Sequence, residues 1–163
     1  MNGIKATALA GHCRSQDHSF LRFDYFGHGA SSGDFRAGTI GRWLEDALAV
    51  IDRLTEGPVV LVGSSMGGWI ALLCALARSH RVAGLIGIAA APDFTELLMW
   101  QAMTAEERAS LMRDGVLPVP SQYGEPYPVT RALIEDGDHR LSRPQDLTRL
   151  FAAVDAMAAR FRS

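Results

Sequence analysis

The stretch Pro58-Val59-Val60-Leu61-Val62-Gly63-Ser64-Ser65-Met66-Gly67-Gly68 decides how the rest of the chain is read. Its first half is an unbroken apolar run. Its second half is a Gly-x-Ser-x-Gly that opens onto Trp69-Ile70-Ala71-Leu72-Leu73-Cys74-Ala75-Leu76-Ala77, nine residues without a charge. The first pattern predicts a strand and the second a helix buried nearly all round. Ser65 therefore falls at a strand-to-helix junction, the setting of a nucleophile elbow. Its hydroxyl would stand above the carboxyl edge of a sheet, with Gly63 and Gly67 leaving room for neighbouring backbone. The backbone N–H of Met66, at the positive end of the helix, would point to where an oxyanion forms.

Outward from this junction the chain alternates. Ile4 to Cys13 predicts a short helix and Ser19 to Asp24 a strand. Tyr25 to Asp34 is a glycine-and-serine loop. Thr39 is placed to cap a helix whose apolar positions Ile40, Trp43, Leu44, Ala47, Leu48, Ile51 and Leu54 recur at three and four, and Gly57-Pro58 ends it. Val59 to Val62 and Val82 to Ala90 are continuous rather than alternating, as expected of strands covered on both faces. The class is α/β with a parallel sheet flanked by helices, in one domain over residues 1–163.

After Pro92 the texture changes. Phe94 to Met103 predicts a helix, and Thr104-Ala105-Glu106-Glu107 is a capping box opening a second one through Met112. Val116 to Pro128 holds four prolines, which argues against regular structure over most of it. Residues 93–130 are thus expected to form a helical lid insertion. A short helix over Val129 to Glu135 and a terminal helix from about Pro144 follow.

Composition narrows the function classes. The chain has 163 residues, a net charge of −2 and 48% apolar residues, with no basic block, so nucleic acid is not an expected partner. No apolar stretch is long enough to span a bilayer, and the first residues lack a signal peptide's basic head and apolar stretch. Cys13 and Cys74 have no metal-ligand or redox-pair spacing, so both are expected to be buried small hydrophobes, in keeping with a cytoplasmic location. No metal or nucleotide motif is present and no cofactor is expected; Gly27-x-Gly29 lacks the remaining glycine spacing.

Three segments together, Phe23-Asp24-Tyr25-Phe26-Gly27-His28-Gly29-Ala30-Ser31-Ser32-Gly33, Gly63-Ser64-Ser65-Met66-Gly67-Gly68, and Gly137-Asp138-His139 before a terminal helix, closely resemble the α/β-hydrolase superfamily. Within it, the first segment and Trp43-Leu44-Glu45-Asp46 resemble bacterial relatives of the mitochondrial α/β-hydrolase-domain proteins assigned as palmitoyl-protein thioesterases and acyl-glucuronide esterases. The resemblance implies a serine hydrolase acting on a small-molecule ester or acyl thioester. Ser65 would attack the carbonyl, and His139 would accept its proton and return it to the leaving group. His12, His18, His28 and His80 fit surface or capping roles better.

The chain also departs from that pattern. The resemblance implies a strand before the first helix, yet Met1-Asn2-Gly3 already stands at that helix. That strand would lie between Ser19–Asp24 and Val59–Val62 in the sheet. The segment that ordinarily bears the triad acid has no counterpart, because Glu135-Asp136-Gly137 runs straight into Asp138-His139. Asp93, after the Val82–Ala90 strand, could orient His139 but equally suits a helix cap; Asp136 and Asp138 are weaker choices. Two expectations follow. One is an ester or thioester hydrolase with an acyl-enzyme on Ser65. The other is a hydrolase-like scaffold or fragment without the acid, and in either case a homo-oligomer through exposed sheet edges. Glu45, Asp46, Glu106, Glu107, Arg108 and Asp114 are expected on solvated helix faces. Trp100, Tyr123, Tyr127, Met99, Met103 and Met112 suit either lid packing or an acyl pocket.

Overall fold

A computed structural model describes residues 3–121 and 124–136. The expected terminal helix, Gly137-Asp138-His139 and Tyr123 lie outside the described residues. Helix α1 spans Ile4–Ser15 and α2 spans Ile40–Leu54. Strand β1 (Val59–Ser64) runs into helix α3 (Met66–Ala77) and then strand β2 (Val82–Ile88), which pairs in parallel with β1. Val60 stands opposite Gly84 and Gly63 opposite Gly87. This is the expected parallel α/β unit.

Helix α2 forms where its periodicity places it. The Thr39 hydroxyl accepts from Arg42 N–H at 3.1 Å, and Ile40, Trp43, Ala47 and Ile51 are buried against α3. At the far end Arg78 of the loop after α3 makes a two-pronged contact with Asp52 of α2, at 3.0 and 2.8 Å. That guanidinium holds the Asp52 carboxyl below the usual carboxylate range. Arg81 donates to the carbonyls of Gly57 and Thr55, both at 2.9 Å, and so fastens the loop entering β1.

Three expectations are corrected. Ser19–Asp24 is not a strand: it makes no sheet pairing among the described residues, and an extended segment without a ladder partner is only extended backbone. Nor do the described residues cover the sheet on both faces. Helix α3 packs on one side, while Val60 of β1 is 59% and Ile86 of β2 52% exposed. Most of Val116 to Pro128 is regular, because β3 (Val116–Ser121) and β4 (Gly124–Thr130) pair antiparallel as a hairpin with Pro118 opposite Pro128. A two-stranded ribbon consists of edges only, and an edge tolerates proline where its nitrogen faces away from the partner.

Between β2 and this hairpin, Thr95–Trp100 is a π-helical turn rather than part of a longer α-helix, with Gln101 N–H bonded to the Glu96 carbonyl at 2.9 Å. Helix α4 (Ala105–Asp114) carries the expected capping box: Thr104 and Glu107 exchange bonds of 3.2 and 2.8 Å. A second small core of Met103, Leu111 and Val129 lies between α4 and the hairpin, with Trp100 and Tyr127 against it. Met112 instead faces solvent. Helix α5 (Arg131–Asp136) returns to the main core through buried Leu133. Cys74 is buried in α3, and burial pushes its thiol up to about 12; Cys13 is only half-buried, short of the expected burial.

Glycine is required where α3 meets the sheet. A Cβ on Gly63 would collide with the Gly67 carbonyl and with Gly68 Cα, and one on Gly68 would fall 2.5 Å from Ala90 Cβ. Gly63→Ala is expected to destabilise the fold by roughly 1–3 kcal/mol, the cost of overpacking a tight contact. Gly11→Ala, in open space on α1, is expected to stabilise by up to about 1 kcal/mol. Denaturant midpoints check both. Thiol titration at about pH 8 with an aromatic disulfide is expected to modify Cys13 first and Cys74 only on unfolding, since a buried thiol of this kind has about one part in 10⁴ as thiolate.

Candidate functional site

The site is built around Ser65, the residue between the last residue of β1 and the first of α3. Its backbone is at φ 54°, ψ −124°, a conformation that costs a non-glycine residue about 1–3 kcal/mol. The turn is locked by the neighbouring strand. Ser65 N–H donates to the Ile88 carbonyl at 3.1 Å, and the Ser65 carbonyl accepts from Gly68 at 2.8 Å and Ala91 at 3.3 Å. The side chain is exposed. Met66 opens α3, so its N–H has no intrahelical acceptor and lies at the helix's positive end.

Strain gathers here. Ala89 and Asp93, in the segment that leaves β2 beside the elbow, also have positive φ, at 46° and 60°. Asp93 is half-buried, with Oδ1 shielded from solvent, and its carbonyl accepts from Leu97 N–H at 3.0 Å. The cap position of the π-helical turn belongs to Phe94, which has no capping side chain. Phe94 packs edge-on against Trp69 of α3 with ring centroids 5.7 Å apart, joining this segment to the elbow helix. The relation of Asp93 and Ser65 to His139 is outside the described residues. Asp136 accepts from Gly41 N–H at 2.6 Å, at the first turn of α2.

Beside the elbow, the Phe23–Gly33 loop is held from within. Asp24 Oδ2 accepts from Ala30 N–H at 3.1 Å, and Ser31 donates to the Asp24 carbonyl at 2.6 Å. The His28 ring lies 5.0 Å from both Phe35 and Trp43, each contact edge-on, and its Nδ1 is 3.1 Å from the Phe26 carbonyl. Its role is packing. Asp46, expected on a solvated face, instead accepts from Phe26 N–H at 2.8 Å and holds the loop to α2. The clue was its proximity in sequence to buried Trp43, whose Nε1 donates to Phe26 carbonyl at 3.0 Å. The Tyr25 hydroxyl reaches the Gly67 position, and burial raises its pKa strongly.

Lys5 is a site neighbour that the sequence reading missed. Its Nζ donates to Ser64 Oγ at 3.1 Å, across 59 positions of chain. Nothing in the local pattern of α1 signals a contact of that range. Tyr127 packs edge-on to Phe35 at 5.1 Å and Arg108 lies over Trp100 at 5.2 Å, so both aromatics serve packing. Two open depressions, of about 340 and 500 Å³, are lined at one by Arg14, His18 and Arg22 and at the other by Arg36 and Arg131; neither includes an elbow residue. Among the described residues no cluster of His, Cys, Asp or Glu could hold a metal ion, and no helix is long and apolar enough to cross a membrane.

The sequence model of the alpha/beta hydrolase family matches residues 5–163. The chain is 40% identical over 141 residues to the palmitoyl-protein thioesterase ABHD10, mitochondrial, of Bos taurus, and 41% identical to that of Homo sapiens, covering 85% of this chain and 46% of each relative. It thus spans about half the length of the curated relatives it matches. Among solved structures, a putative hydrolase from Agrobacterium vitis S4 superposes with a TM-score of 0.80 at 36% identity, over 96% of this chain and 83% of that one. The alpha/beta hydrolase domain-containing protein 10 from mouse gives 0.75 at 40% identity, over 85% and 56%. With a strand, a strained serine turn and a helix in the order that this fold demands, and a family match over nearly its whole length, the chain belongs to the alpha/beta hydrolase family.

Proposed function

We propose that the protein is a serine hydrolase that cleaves a carboxylic ester or acyl thioester through an acyl-enzyme on Ser65. The observation that carries this reading is the backbone of Ser65, held at φ 54° at the head of α3 by bonds to Ile88 and Ala91. A strained, exposed serine at a helix N-terminus is suited to attack, because the helix end favours the oxyanion that forms. In this mechanism the Ser65 oxygen bonds to the carbonyl carbon as its proton passes to His139. Met66 N–H stabilises the oxyanion, and the leaving alcohol or thiol departs with the proton from His139. Water then repeats the sequence and frees the acid.

Asp93 is the proposed orienting acid, and residues 93–130 the lid. The relatives named as palmitoyl-protein thioesterases support a thioester substrate. Two free thiols support a reducing compartment, the cytoplasm in this reading. A second reading, a scaffold without full activity, is favoured by the two-stranded parallel sheet of the described residues. Self-association through the outer edge of β1 belongs to both readings, with light scattering as its check.

A fluorophosphonate probe is expected to label the folded protein, and Ser65→Ala to abolish both labelling and ester hydrolysis. A folded protein that takes no label supports the scaffold. Asp93→Asn is expected to lower kcat on the order of 10⁴-fold while leaving the fold intact, since asparagine also tolerates the left-handed backbone at this position. An unchanged kcat places the acid elsewhere.

A further inference from the structure

The Tyr25 hydroxyl stands at the elbow and has no part in the mechanism above. It lies 4.0 Å from where a Cβ on Gly67 would be, and among the described residues nothing outside α3 comes closer. Helix Cα–Cβ bonds tilt toward the N-terminus, so this is the Ser65 side of Gly67. The residue between Ser65 and Gly67 is Met66, whose N–H is the proposed oxyanion donor. Among the described residues the Tyr25 hydroxyl has no hydrogen-bond partner. A tyrosine buried to this degree ordinarily finds one, because a desolvated hydroxyl without a partner costs free energy. Phenylalanine would fill the same space without that cost.

The ring is held in place from several directions. It meets Phe23 edge-on with centroids 5.0 Å apart and His28 at 5.9 Å. The Tyr25 carbonyl accepts from His28 N–H at 2.9 Å. The next residue, Phe26, is fixed to α2 twice, through its N–H to Asp46 and its carbonyl from Trp43 Nε1. A donor held this way needs little reorganisation when charge develops in front of it. Burial raises the Tyr25 pKa, so the group keeps its proton at neutral pH and can donate a hydrogen bond but not act as a base.

We infer that Tyr25 is a catalytic residue whose hydroxyl donates a second hydrogen bond to the oxyanion, beside Met66 N–H. The inference rests on the proposed hydrolase reading and deepens it. As the Ser65 oxygen bonds to the carbonyl carbon, the π pair of the C=O bond moves onto oxygen, and Tyr25 and Met66 both donate to it. When that pair returns, the bond to the leaving group breaks and both hydrogen bonds weaken. Tyr25 keeps its proton throughout, and the Ser65 proton travels through His139 alone.

The test compares the wild type with Tyr25→Phe on phenyl acetate and on its thiono analogue, in which sulfur replaces the carbonyl oxygen. The variant is expected to lose about 10²-fold in kcat/KM on the oxygen ester, mostly in kcat, and to melt no lower than the wild type. Sulfur is a weak acceptor, so the loss on the thiono ester is expected to be smaller by at least about tenfold. Labelling by a fluorophosphonate, whose phosphoryl oxygen would take the same donors, is expected to slow along with the oxygen ester. Wild-type rates in the variant overturn the inference. So does an equal loss on both esters, since a merely structural tyrosine would misplace Ser65 for either substrate. Failure of the underlying reading looks different: the wild type then hydrolyses neither ester and takes no label at Ser65, and both proposals fall.

Discussion

Backbone-to-backbone contact between the end of β1 and the first turn of α3 is the constraint on which the site depends. The strand can turn into the helix within one residue only because Gly63 and Gly68 carry no side chain where Gly67 and Ala90 press in. That closeness forces the one intervening residue, Ser65, into a conformation that L-residues avoid. The strain and the exposure of the hydroxyl therefore have one origin. Relaxing the contact would let the serine settle into ordinary backbone, and its hydroxyl would leave the helix end.

A strained turn persists only when its surroundings hold it on every side. Below the turn, Trp69, Ile70, Leu73 and Cys74 anchor α3 in the core, where each large side chain contributes about 1.5–3 kcal/mol by burial. Beside it, the segment leaving β2 binds both polar groups of the Ser65 backbone. Farther off, Arg78 ties the end of α3 to α2, and Arg81 fixes the loop that aims β1. Trp69 stands partly against this balance. Its Nε1 is buried without an acceptor among the described residues, which costs about 1–3 kcal/mol. The contact of its ring with Phe94 and the core offsets that cost.

What the sequence made legible was local. The elbow, the Thr39 and Thr104 caps and the buried face of α2 follow from neighbours three or four positions apart, where periodicity and capping chemistry act. The partners of Lys5, Asp46 and Asp136 were not legible, since each contact joins residues 20 to 95 positions apart. The hairpin was obscured for a different reason. Proline lowers strand propensity on average, but the loss depends on which way its nitrogen faces, and that is set by register with a strand ten residues away. The positive φ of Ala89 had no signal at all, because alanine is not a residue that favours it.

The same division separates the proposed nucleophile from the other residues of the proposed mechanism. The Ser65 turn is specified by β1, α3 and the end of β2, so it forms wherever those three elements pack. The base and orienting acid of the proposed mechanism would come from parts of the chain distant in sequence, so no short-range pattern fixes their placement. Val60, Val62 and Ile86 bear on the sheet itself: their strands have the continuous apolar composition of sheet interior, yet these side chains remain substantially exposed. A serine held in a strained turn by local contacts and a sheet face left open by the described residues can coexist in one structure. In that case reactivity toward a phosphonate, which tests the hydroxyl and the oxyanion donor, and turnover of an ester, which also needs proton transfer, measure two different things.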